Sequence, residues 1–118
     1  SDDGLVVAVA HSQDQVTAWQ YLNRVWTPLG NAIVTPTGVV DMSMAKNGDW
    51  IGIVDGEGTV RVYFHNNMRG DWVQRGTAFG NTTAIAKSVS LAYDGSIVSI
   101  GGNDLRTGNG VVSLYIWS

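Results

Sequence analysis

An all-β chain of four-stranded antiparallel units is predicted by three observations in these 118 residues: a recurring turn, a recurring strand and the lack of any sustained helical period. The turn is Asp3-Gly4, Asn47-Gly48 and Asp94-Gly95, each set between alternating apolar runs. Both central residues of a type I′ hairpin turn need positive φ, and these pairs tolerate it. The strand is Val16-Thr17-Ala18-Trp19, Val60-Arg61-Val62-Tyr63 and Val112-Ser113-Leu114-Tyr115, and every copy follows the hairpin.

In the last copy, strand one covers about 88–92, strand two about 96–101 and strand three about 111–117, all with the period-two alternation of strands. A fourth strand is seen after the earlier copies, at about 25–30 and 72–76, where Trp26 to Gly30 recurs 46 residues later as Trp72 to Gly76. Residues 1–30 therefore read as strands two to four of one unit, 31–76 as a full unit, and 77–118 as strands one to three of another. Ala8, Gly52 and Ser99 hold equivalent places in strand two, between Val7 and Val9, Ile51 and Ile53, and Val98 and Ile100. A small residue recurring at one place implies that one sheet packs closely on the next.

Units of about 45 residues, each with a face it cannot bury alone, stack radially in β-propellers. About ten strands make two and a half blades, whereas closure takes about four to eight. An incomplete fan leaves apolar faces and sheet edges in water. The missing strands are expected from further blades of the same chain, the favoured source, or from identical subunits.

Composition narrows the partners. Charged residues make up only 14% and glycine numbers 15, a balance suited to short strands and tight turns. The net charge is −3 and the seven basic residues are scattered singly, so nucleic acid is not expected as a partner. No apolar run reaches the roughly 20 residues that cross a bilayer, and no membrane insertion is expected. Cysteine is absent, which removes disulfides and thiolate metal sites. Asn81-Thr82-Thr83 is a glycosylation sequon, used only in a secretory protein, and it favours an extracellular or cell-surface setting.

The pattern at 72–117, W-x-x-x-G through V-S-L-A-x-D-G-S-I-V-S-I-G to V-S-L-Y-x-W, resembles the blade repeat of FG-GAP-type and WD-repeat-like β-propeller proteins, and the resemblance extends over essentially the whole chain. Integrin-type members hold calcium in an Asp-rich hairpin loop. The corresponding loops here, 55–58 and 103–110, lack that run of aspartates, so the resemblance brings no metal with it.

Candidates for chemistry are few. His11, Ser12 and Asp14 have the residue types of a hydrolytic triad, but neighbours in a strand or turn cannot aim at one another as a triad requires. His11 and His65 have no second imidazole or carboxylate pair near in sequence to complete a metal shell. No catalytic residue, metal or cofactor is expected. The aromatic residues mostly recur at equivalent positions, as packing demands of every blade. Trp50 departs from this, since its equivalents Val6 and Ile97 are aliphatic, and it is a candidate ligand or partner contact. Residues 103–110 are the longest departure between copies, and Asp104, Arg106 and Asn109 are the polar candidates there. The expected function is a non-enzymatic structural or protein-interaction scaffold in a larger assembly. The alternative is a carbohydrate-binding propeller lectin, closed by self-association, with glycan as its partner.

Overall fold

Twelve strands and no helix form among the described residues, 1–11, 14–80 and 84–116 of this computed structural model. They make three antiparallel sheets stacked into a body of 52 × 30 × 23 Å. The first sheet holds β1 (Val6–His11), β2 (Gln15–Leu22), β3 (Val25–Pro28) and β4 (Ile33–Val34). The second holds β5 (Val39–Met44), β6 (Trp50–Asp55), β7 (Thr59–Asn66), β8 (Asp71–Gln74) and β9 (Phe79–Gly80). The third holds β10 (Ala84–Leu91), β11 (Ile97–Asp104) and β12 (Gly110–Ile116).

The count exceeds ten because the outer strand is broken in two. β3 and β4 both pair with β2, and β8 and β9 both pair with β7. The break does not interrupt bonding, since Leu29 N–H donates to the Ala18 carbonyl and Arg75 N–H to the Val62 carbonyl. The register also shifts within β5, between Val39 and Asp41, and at the equivalent place in β10, between Ala86 and Ser88. An extra residue there sharpens the twist of each first strand.

Alternation gives every sheet two apolar faces. On the middle sheet, Ile51, Ile53 and Trp72 pack with Val16, Ala18 and Ile33 of the first sheet. Its opposite face sets Val54, Val60 and Val62 against Ala86, Val89, Leu91, Val98 and Ile100 of the third. Gly52 is the small residue at this junction: a Cβ there would lie 3.1 Å from a Val89 methyl, tighter than an ordinary contact. First strands approach each other most closely, and the β5 side chains bond to the edge of β10. Asp41 accepts from Val89 N–H at 3.0 Å, and Ser43 Oγ from Leu91 N–H at 3.1 Å. An otherwise unpaired edge is covered in this way.

Outer strands are clamped as well. Trp72 Nε1 donates to the Leu29 carbonyl at 2.8 Å, and Asp71 accepts from the backbone and the side-chain amide of Asn31 at 2.9 and 3.0 Å. The Asn31 backbone N–H, then the Trp72 N–H, hold the Asp71 carboxyl below its ordinary value of 3.8. The folded pKa is depressed, so this contribution is complete above the ordinary value and disappears as pH falls through the lower one. Asp71→Asn should therefore unfold more readily than wild type above about pH 4, with the gap closing in more acid solution, as read by urea titrations across pH.

The two ends of the stack show what a neighbouring sheet contributes. Val7, Ile51 and Val98 are equivalent, yet the latter two are fully buried while Val7 is 38% exposed, because no sheet covers the outer face of the first. Ile51→Ala should cost about 2–5 kcal/mol and Val7→Ala under about 1 kcal/mol in chemical denaturation.

Candidate interaction surface

The three recurring hairpin turns meet on one rim of the stack. Asp2 N–H donates to the Lys46 carbonyl at 2.7 Å, and Asn47 N–H donates to the Tyr93 carbonyl at 3.1 Å, so each turn is bonded to the turn of the next sheet. Within each turn the acid or amide serves its own backbone. Asp3 accepts from Leu5 N–H, Asn47 from Asp49 N–H and Asp94 from Ser96 N–H, all at 3.0 Å. The Ser1 hydroxyl, then the Leu5 N–H, lowers the pKa of Asp3, and the Ser96 hydroxyl, then its N–H, lowers that of Asp94.

Glycine in these turns meets two demands at once. Gly48 and Gly95 have φ of 81° and 76°, and each also faces the opening residue of the preceding sheet's second strand. A Cβ on Gly48 would lie 3.3 Å from Val6 Cβ, and one on Gly95 would fall inside the indole of Trp50. Val6 and Trp50 are the equivalent pair of the sequence repeat, so the same wedge is used at both junctions. What the turns expose is polar and aromatic: a shallow recess of about 240 Å³ is lined by Asp2, Asp3, Lys46, Asn47 and Tyr93. Tyr93 is 60% exposed, and Asp94 stands beside it.

The residues singled out from the sequence lie apart from one another. Trp50 is half-buried, 5.5 Å from the Phe64 ring and under the Arg75 guanidinium, at the end of the sheets that carries the turn rim. The 103–110 excursion is at the opposite end, where β11 turns into β12 and Asn103 pairs with Gly110. There Asp104 accepts from Arg106 N–H at 2.8 Å and Thr107 N–H at 3.0 Å, closing a small self-bonded loop. Arg106 and Asn109 are exposed on it. Asn81, Ser12 and Trp117 lie outside the described residues.

His11 bonds Thr17 at the end of β1, while His65 bonds Asn67 and stands edge-on to Trp72. Among the described residues no three His, Cys, Asp or Glu side chains group to hold a metal ion. The carboxylates of Asp3, Asp41, Asp55, Asp71, Asp94 and Asp104 are all committed to backbone N–H groups. Asp55, buried, also forms an ion pair with Arg61 at 2.5 Å. Asp2, Lys46 and Tyr93 carried no signal of their own in the sequence. The cue was their place, within three residues of a repeating Asx-Gly turn.

The chain is similar in structure to the C-terminal WD40 domain of Sif2, with a TM-score of 0.69 and 13% identity over 99% of this chain and 32% of that one. It is also similar to the β-propeller domain of Myceliophteria thermophila Cps50 (Swd1), with a TM-score of 0.72 and 7% identity over 100% of this chain and 36% of that one. This is the fold of a β-propeller. The chain spans about a third of the length of these two solved chains. No family model and no curated protein matches the sequence. Among the described residues the three sheets thus correspond to three neighbouring blades: the middle one shows all four strand positions, the first shows strands two to four and the third strands one to three.

The wedge at each blade junction predicts a pair of unequal substitutions. Gly95→Ala combines backbone strain with overlap on Trp50 and should cost about 3 kcal/mol or more. Gly4→Ala has the same sign of φ but nothing within 4 Å of its Cβ, and should cost about 1 kcal/mol in the same unfolding assay.

Proposed function

We propose that this chain is part of a non-enzymatic protein-interaction propeller, completed by further blades, with the turn rim as a docking surface. One observation carries the reading: turns from three successive blades, bonded in a row, bring Asp2, Asp3, Lys46, Tyr93 and Asp94 to one surface. Anchoring by backbone bonds means that little backbone entropy remains to be lost on binding. An exposed Tyr among carboxylates suits a polypeptide segment carrying Lys or Arg. The WD40 and β-propeller domains similar in fold agree with a platform of this kind.

Two features favour this reading over an enzyme and over a lectin. The carboxylates of Asp3, Asp55 and Asp104 each accept backbone N–H bonds, which stabilise them as anions and weaken them as general bases. The exposed rings Tyr21 and Trp26, 5.2 Å apart, correspond to His65 and Trp72, which the first blade covers. Their exposure is that of a blade face awaiting a neighbour, which favours a scaffold over a sugar platform.

A photo-crosslinking residue placed at position 93, and in a parallel protein at position 105, tests the reading. Partner adducts should form at 93, fall at least about fivefold when Asp3 and Asp94 become Asn, and weaken with added salt. Adducts at 105 that need Arg106 and Asn109, with none at 93, would move the docking surface to the 103–110 loop.

A further inference from the structure

We propose that Asn109-Gly110, where the 103–110 loop enters β12, is a site of spontaneous covalent modification. The Gly110 backbone nitrogen closes on the Asn109 side chain to a succinimide, which water opens to aspartate or isoaspartate. The chain holds two Asn-Gly pairs, 47–48 and 109–110. Asparagine followed by glycine is the pair most open to this reaction, because no Cβ obstructs the attacking nitrogen and glycine reaches the backbone angles that the ring needs. The two pairs share that local chemistry, and the fold sets them apart.

At the first pair both reacting groups are held. Gly48 N–H donates to the Ala45 carbonyl at 2.9 Å, and the Asn47 side-chain oxygen accepts from Asp49 N–H at 3.0 Å. Gly48 is also buried, with Val6 packed against it. Closing the ring there means giving up both bonds, which slows it by about tenfold or more.

At the second pair the reacting groups are open while the backbone around them is fixed. Asn109 N–H donates to the Thr107 hydroxyl at 3.2 Å and the Asn109 carbonyl accepts from Asp104 N–H at 2.8 Å, yet the Asn109 side-chain amide has no hydrogen-bond partner among the described residues. Asn103 and Gly110 face each other as a non-bonded pair of the ladder, flanked by that Asp104 bond, so Gly110 N–H points away from β11. Its equivalent in the middle blade, Gly58, donates its N–H within its own turn, to the Asp55 carbonyl at 3.0 Å, so an outer strand added as in that blade leaves this amide alone. Residues 105–110 are all exposed, and a Cβ on Gly110 would meet nothing within 4 Å.

Water is the only co-reactant. Hydroxide takes the Gly110 amide proton, the nitrogen bonds to Asn109 Cγ, and the Cγ–Nδ2 bond breaks as ammonia leaves with a proton from water. A second water then adds to one imide carbonyl. Opening at the side-chain carbonyl gives aspartate in an ordinary chain; opening at the main-chain carbonyl gives isoaspartate, with an extra methylene in the backbone. Either product adds a negative charge to the loop that carries Asp104 and Arg106. Isoaspartate also takes the carbonyl that accepts Asp104 N–H out of the main chain, which loosens the loop and leaves the ladder from Val111 onward in place. The site is separate from the turn rim, and neither reading depends on the other.

The test ages the folded chain in mildly alkaline water enriched in heavy oxygen and maps it by proteolysis and mass spectrometry, with isoaspartate scored by enzymatic methylation. Label and isoaspartate should accumulate at position 109 at least about tenfold faster than at 47, and unfolding in guanidinium chloride should bring the two rates together. Gly110 is outside the left-handed region and its Cβ position is empty, so Gly110→Val keeps the fold. That variant should suppress the reaction at 109 by about tenfold or more and leave 47 unchanged. No more reaction at 109 than at 47 in the folded chain, or a rate at 109 that Gly110→Val does not alter, overturns the assignment.

Discussion

A four-stranded sheet whose side chains are apolar on both faces cannot shield itself, and the structure follows from that constraint. The middle blade solves it by lying between two others, so that Ile51 and Ile53 are covered on one side and Val54, Val60 and Val62 on the other. Burial of this kind is worth about 25 cal/mol for each Å² of apolar surface removed from water. It requires the sheets to come close, and that closeness selects Gly52 at the centre of one junction and Gly48 and Gly95 at the turns. The outer faces remain apolar, with Val9 and Trp26 at one end and Val112, Leu114 and Ile116 at the other.

The same packing produces the polar rim. Val6 and Trp50 lie against the glycines of the following turns, and Lys46, Asn47, Tyr93 and Asp94 beside those glycines are exposed to water. Backbone bonds between Asp2 and Lys46 and between Asn47 and Tyr93 then lock the turns into a row. Carboxylates that accept N–H bonds are stabilised as anions and hold a fixed orientation. Such a surface is suited to recognition by charge and shape.

Edges are covered in two ways within one chain. The first strand of the third blade is bonded by Asp41 and Ser43 from the blade before it. The outer strands of the first two blades are joined by the Trp72 and Asp71 clamp.

The sequence by itself determined the strands, the hairpin turns and the radial stacking of blades, because alternation and Asx-Gly turns are local signals that recur at a fixed interval. It also marked Ala8, Gly52 and Ser99 as places of close approach. What only the tertiary structure decided depends on contacts between residues more than 40 positions apart. The clamp between outer strands reflects a Trp72 side chain reaching Leu29, and the rim reflects Asp2 meeting Lys46 and Asn47 meeting Tyr93. Trp50 stands out in the sequence as the aromatic member of an aliphatic set, and the fold places it against the bare backbone of Gly95, where a larger side chain has room. Composition and period carry the shape of one blade, but the relation between blades is a property of surfaces that meet only once the chain has folded.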